Sequence, residues 1–274
     1  MKRIFILFIL FAFLSSCCDE KPVDIPEFKP PKTDKVVLIE EFTGVNCINC
    51  PGGAEEIKRL EEVYSGNIVS IAIHAGDLSE PIEESKYDFR CEDGEKLVKK
   101  WKGDSKPAAM IDRVHFEGEE NVPIAGYNYW NDPVIQELNK EPVLNLNGEI
   151  HYNEENKTIS ININIFPLQN LNGDYRLNIA LTESHIIDAQ NKGHGEIDKN
   201  YEFNHVLRDL ITTWNGDIIN EKLIANNPIS KNYTYTITND EWKPENMNLI
   251  AFVTGTGEIA NSPVLNAVEF ELKE

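Results

Sequence analysis

The stretch from Val36 to Pro51 constrains this chain most, because an apolar run, a turn, a CxxC pair and a helix start follow one another within sixteen residues. Val36-Val37-Leu38-Ile39-Glu40-Glu41-Phe42 reads as a buried strand. Thr43, Gly44 and Asn46 supply turn chemistry, and Pro51 suits the first turn of a helix continuing from Gly52 through Leu60. Cys47 is thereby placed at a helix N-terminus. Unpaired backbone N–H groups and the helix dipole favour a thiolate there, which makes a nucleophile at neutral pH. Cys50, one helical turn on, is near enough to close a disulfide with Cys47 or to resolve a mixed one.

Beside this redox reading stand a permanent structural disulfide, half of a zinc site, and two unremarkable thiols. A structural zinc site wants four ligands, and no second CxxC or HxxxH supplies the other pair. The redox dithiol and the inert disulfide both stay open.

Val37 to Pro51, with Cys47-Ile48-Asn49-Cys50-Pro51, resembles the dithiol region of thioredoxin-like domains. More closely, Glu41-Phe42-Thr43-Gly44 followed by that CxxC resembles the Omp28-related family of bacterial outer-membrane lipoproteins. The resemblance implies an α/β thioredoxin-like domain followed by an all-β, Ig-like sandwich. The expected division is a signal peptide over 1–16, a tether over 17–34, the thioredoxin-like domain over 35–141 and the sandwich over 142–274.

The N-terminus fits an exported lipoprotein. Met1-Lys2-Arg3 is basic, and Ile4 to Leu14 is apolar but too short to span a membrane. Leu14-Ser15-Ser16-Cys17 resembles a lipobox, which implies cleavage before Cys17 and a lipid anchor on its thiol, in the cell envelope at the outer membrane. Pro22, Pro26, Pro30 and Pro31 then mark an extended tether. A net charge of −20 repels phosphates, so nucleic acid is not an expected partner. Five cysteines are too few for a disulfide framework, and Cys91 reads as a small buried apolar residue.

Beyond the dithiol helix, Asn67 to His74 is a β-branched run, predicting a second buried strand parallel to the first and a βαβ unit. His74 leaves that strand at its C-terminal end, where it either tunes protons at the cysteines or caps the strand. Leu97, Val98 and Trp101 at helical spacing predict another helix, and Asp132-Pro133 a third with an Asp cap. Pro107 enters an apolar strand and resembles the cis-proline that faces the dithiol in thioredoxin-like domains, while Met110-Ile111-Asp112-Arg113 resembles the strand that follows in the Omp28-related family. Glu41 lies six positions before Cys47, where thioredoxins carry a buried acid. Alternation puts Glu40 and Glu41 on opposite faces, so either one is buried with a raised pKa or both reach water at the strand end.

After Pro142 the texture changes to short strands, with Thr158-Ile159-Ser160-Ile161-Asn162-Ile163-Asn164-Ile165 alternating strictly. Asn204-His205-Val206-Leu207-Arg208 resembles a segment of the same family. His185, His194 and His205 show no ligand spacing, and no GxSxG, P-loop, GxGxxG or HExxH is present, so neither metal nor cofactor is expected. Two functions follow. One is thiol-disulfide exchange on exported protein thiols or disulfides, with Cys47, Cys50, Pro107, Glu41 and His74 at the site. The other is a non-enzymatic outer-membrane binding protein or adhesin with a surface ligand, in which Cys47–Cys50 is structural.

Overall fold

A computed structural model describes residues 34–256 and 262–273. The expected signal peptide, the lipidated Cys17 and all but the last residue of the tether lie outside the described residues. The first strand, β1 (Val37–Thr43), is buried along its whole length. Helix α1 (Cys50–Val63) follows with Pro51 in its first turn, then β2 (Ile68–His74). The helix begins at Cys50 with Asn49 as N-cap, so Cys47 stands in the turn before it. β1 and β2 pair in parallel from Val37↔Ile68 to Thr43↔His74, as the two apolar runs predict.

Helix α2 (Glu92–Trp101) has three acidic residues in its first turn and Lys99 and Lys100 in its last, matching the helix dipole. Its buried face carries Leu97, Val98 and Trp101. β3 (Ala108–Ile111) pairs antiparallel with β1, and β4 (Ile124–Ala125) with β3. Helix α3 (Asn131–Leu138) starts one residue before the expected Asp132 cap, with Trp130 at the N-cap and Pro133 in the first turn.

The remainder is strand: β5 (Leu144–Asn153), β6 (Thr158–Pro167), β7 (Tyr175–Glu183), β8 (Ile186–Gly193), β9 (Glu196–Phe203), β10 (Val206–Leu210), β11 (Asp217–Ile219), β12 (Ile229–Thr236), β13 (Met247–Gly255) and β14 (Val264–Glu271). β8 and β9 form a separate hairpin, and β12-β6-β5 a three-stranded sheet. The rest make one nine-stranded sheet in the order β14-β13-β7-β10-β2-β1-β3-β4, with β11 on β7.

That order corrects the expected fold class. The described residues do not form an α/β thioredoxin-like fold followed by an independent sandwich; strand far outweighs helix among them, and the largest sheet is continuous through both halves. The physical reason lies at β2, whose edge away from β1 takes β10 in parallel at Ala72↔Val206. The backbone of Ala72 also donates to the carbonyl of His205 at 2.8 Å. β10 in turn pairs antiparallel with β7, so ladder hydrogen bonds leave no boundary between the halves.

Burial follows alternation on this sheet. Leu38 and Phe42 of β1 join Ile71, Ile73, Leu97, Trp101, Leu207 and Phe252 beneath α2. Val37 and Ile39, on the opposite face, pack with Ile57, Leu60, Trp130 and Val134 of α1 and α3. The isoleucines at 159, 161, 163 and 165 of β6 meet Leu177, Ile179 and Leu181 of β7 and Leu249 and Val253 of β13, closing a second core between two β layers.

Candidate functional site

Adjacent carboxylates on β1 meet opposite fates. Glu40 and Glu41 are 1% and 2% exposed. Glu40 receives two parallel hydrogen bonds from the Arg113 guanidinium, each 2.7 Å. Beside it, Asp112 takes an ion pair from Lys35 at 2.5 Å and the backbone N–H of Leu38 at 2.8 Å. Asp112 and Arg113 both have positive φ, 47° and 53°. Non-glycine residues are held in that region by such flanking bonds. Glu41 faces α1 instead, and its Oε1 has no hydrogen-bond partner. A Cβ at position 53 would come within 2.4 Å of that oxygen, so glycine there is what lets the helix pass over the carboxyl. Burial raises the Glu41 pKa from 4.5 to about 8, leaving it neutral at pH 7.

Cys47 and Cys50 are joined, with S–S 2.08 Å and Cα–Cα 5.4 Å. Each residue is 3% exposed. The cover comes from the β8–β9 hairpin, whose turn carries His194 and Gly195 at φ 54° and 82°, as a two-residue hairpin loop requires. The Gln190 side-chain amide donates to the carbonyl of Cys47 at 2.9 Å. Asn191 donates from its backbone to the carbonyl of Val45 at 2.9 Å and from its side chain to Asn46 at 2.7 Å. Two backbone N–H groups, of Lys86 and Tyr87, hold Asp188 at the hairpin's base.

Hairpin, α1 and the ends of β1 and β2 enclose a cleft of about 740 Å³. Glu41, Cys50, Ser70 and His74 lie along its inner surface. His74 is buried with Phe89 and Phe203 edge-on at 5.1 and 5.7 Å. Both its ring nitrogens lack hydrogen-bond partners. Burial lowers its pKa to about 3, so the imidazole is neutral. Nearer the mouth, His205 lies 3.4 Å from Glu61. Burial opposes both charges, yet the pair holds Glu61 below the usual carboxylate range and His205 above its ordinary value.

Of the residues predicted from sequence, the fold brings Glu41, Cys50 and His74 to one cleft, whereas Cys47 and Pro107 are not among its lining residues. The Lys106–Pro107 peptide is cis. Pro107 stands against the first turns of α1, where its Cβ is 3.1 Å from the place a Gly53 side chain would occupy. Gln190, Tyr201 and Phe203 were not legible as site residues, because β8 and β9 are polar strands; the turn glycine Gly195 was the one available signal. Among the described residues no cluster of three His, Cys, Asp or Glu side chains is placed to hold a metal. Nor is any helix among them long and apolar enough to cross a membrane.

The sequence pattern of a family described as outer membrane protein Omp28 matches residues 94–274. No curated protein matches the chain. Among solved structures, HBP35 of Porphyromonas gingivalis is similar at a TM-score of 0.65 and 18% identity, over 88% of this chain and 76% of that one. A protein of Agrobacterium tumefaciens is similar at a TM-score of 0.53 and 11% identity, over 88% and 96%. At such identities the likeness concerns the fold alone.

Proposed function

The chain belongs to the Omp28 outer membrane protein family, and on that premise we propose that it is a non-catalytic binding protein of the outer membrane in which Cys47–Cys50 is a structural disulfide. The Leu14-Ser15-Ser16-Cys17 run supports attachment through a lipid on Cys17. One observation carries the reading: both cysteines are 3% exposed beneath the hairpin. Exchange requires a thiolate in line with a partner's disulfide, so a reactive cysteine is partly exposed, and a buried one is inert. The hairpin's bonds to Val45, Asn46 and Cys47 make that cover part of the fold. The disulfide then braces the turn from which α1 starts, and α1 forms one wall of the cleft.

The test is disulfide exchange by the full chain. Reduction of insulin by dithiothreitol should run no faster with the protein than without it. The Cys47–Cys50 potential, from equilibration with thiol buffers, should lie below about −300 mV, as structural disulfides do. Acceleration that disappears in Cys47→Ser would overturn the reading and return the site to redox catalysis.

A further inference from the structure

We propose that the cleft over Glu41 binds a primary ammonium group, carried by a small organic amine or by an accessible lysine side chain. The inference deepens the binding reading above and rests on it. Its first support is Glu41, a carboxyl 2% exposed that lines the inner surface of an open cleft and whose Oε1, lodged under Gly53 of α1, has no hydrogen-bond partner. Buried polar groups are nearly always hydrogen-bonded, and one left without a partner inside a pocket marks a place where a partner arrives from outside. An ammonium has three N–H donors and no acceptor, which suits a carboxyl that, once ionised, only accepts.

The mouth and walls carry the same preference. Glu55 on α1, Glu202 on β9, and Glu245 and Glu271 are exposed around the opening, with Glu202 held by the His185 ring at 2.6 Å. Two lysines also line it, Lys58 and Lys273, and the second is taken up by Glu154 at 2.6 Å. A cleft so lined concentrates cations and repels anions. Tyr201 and Phe203 supply aromatic surface, and Lys192 already rests over the Tyr201 ring at 4.9 Å. Aromatic faces attract an ammonium. A volume of about 740 Å³ lies within the range of small-molecule sites.

Burial, rather than any neighbouring charge, sets the accompanying proton, and the other titratable groups stand along the same cleft. Glu55, Lys58 and Glu61 come from α1, His74 from β2, Tyr201 and Glu202 from β9. With no cation beside it, Glu41 is protonated at pH 7. An ammonium within about 4 to 6 Å favours the carboxylate. Binding therefore breaks the Glu41 O–H bond and sends up to one proton to the buffer base, and no other covalent bond changes.

Titration calorimetry of the full chain with putrescine, and separately with the capped tripeptide Ala-Lys-Ala, tests this at pH 7 in two buffers of different ionisation enthalpy. At least one probe should bind, with heats that differ between buffers by the equivalent of released protons, and glutarate should not bind. Binding of putrescine supports a free amine; binding of the tripeptide alone supports a lysine-bearing partner. Glu41→Gln should weaken binding at least tenfold and abolish the proton release. Tyr201→Leu, at the wall, should weaken it severalfold and serves if Glu41→Gln does not fold. Failure of both amines, or equal binding to Glu41→Gln and Tyr201→Leu without proton release, would overturn the inference. Those results leave the non-catalytic reading standing, since only disulfide exchange dependent on Cys47 removes that.

Discussion

Gln190 donates a hydrogen bond of 2.9 Å to the carbonyl of Cys47, across 143 residues of chain, and so ties the hairpin to the turn that bears the disulfide. Gln190→Ala leaves that carbonyl only the longer bond, 3.3 Å, from the backbone N–H of Cys50. The expected cost is about 0.5–1.5 kcal/mol in urea unfolding. Dithiothreitol should also reduce the native disulfide severalfold faster. Unchanged reduction would show that the hairpin does not shield the sulfur atoms.

Replacing both Cys47 and Cys50 with Ala should leave the fold intact, by circular dichroism, while lowering stability by about 2 kcal/mol, the entropic worth of closing so short a loop. A chain that no longer folds would mean the disulfide does more than brace one turn.

Glu41 makes stability fall with rising pH. Its folded pKa is about 8 against 4.5 ordinarily, so the unfolded chain loses its proton first. Stability is fully present below about pH 4.5 and is lost up to about pH 8, by on the order of 5 kcal/mol. Glu41→Gln should remove that loss, so the variant unfolds at higher urea than the parent at pH 8 and at nearly the same urea at pH 4.5. A difference that is flat with pH would show that Glu41 is ionised in the folded protein. Asp112, raised to about 6 by burial against the pull of Lys35, contributes equally to both chains and cancels in the difference.

His74 works on the acid side with the opposite sign. Its folded pKa is about 3 against 6.5 ordinarily, so stability is present above about pH 6.5 and is lost as pH falls toward 3. His74→Phe, which keeps an aromatic ring against Phe89 and Phe203, should flatten the acid limb between those values. An unaltered limb would assign acid unfolding to other groups.

Arg113→Met should cost about 3–5 kcal/mol by leaving the Glu40 carboxylate buried and unpaired. Glu40→Gln combined with Arg113→Met should recover most of that loss, a coupling that a double-mutant cycle in urea reads directly.

Legibility in the sequence depended on how local each cause was. β1, α1 and β2 announce themselves because apolar runs, Gly44 and Pro51 act within a few residues. Alternation correctly separated Glu40 from Glu41, but it could not say which would be paired, since Arg113 lies 73 residues away. The strands β8 and β9 were missed because their residues are largely polar and the face they bury is matched to the 45–50 loop. The fold class failed for a similar reason. Nothing local to Ala72 or Val206 reveals that they are neighbours, yet that pairing turns two expected domains into one sheet.

The strand order also fixes a schedule for the growing chain. β2 cannot complete its hydrogen bonding until β10 has been synthesised, and the carbonyl of Asp112 waits longer, for the backbone N–H of Val264. Until then the first half presents an unpaired, apolar strand edge, the kind of surface on which chains aggregate. Joining of the first half to the second is therefore the step that closes this sheet, and the edge of β2 stays open to other chains from its own synthesis until β10 arrives.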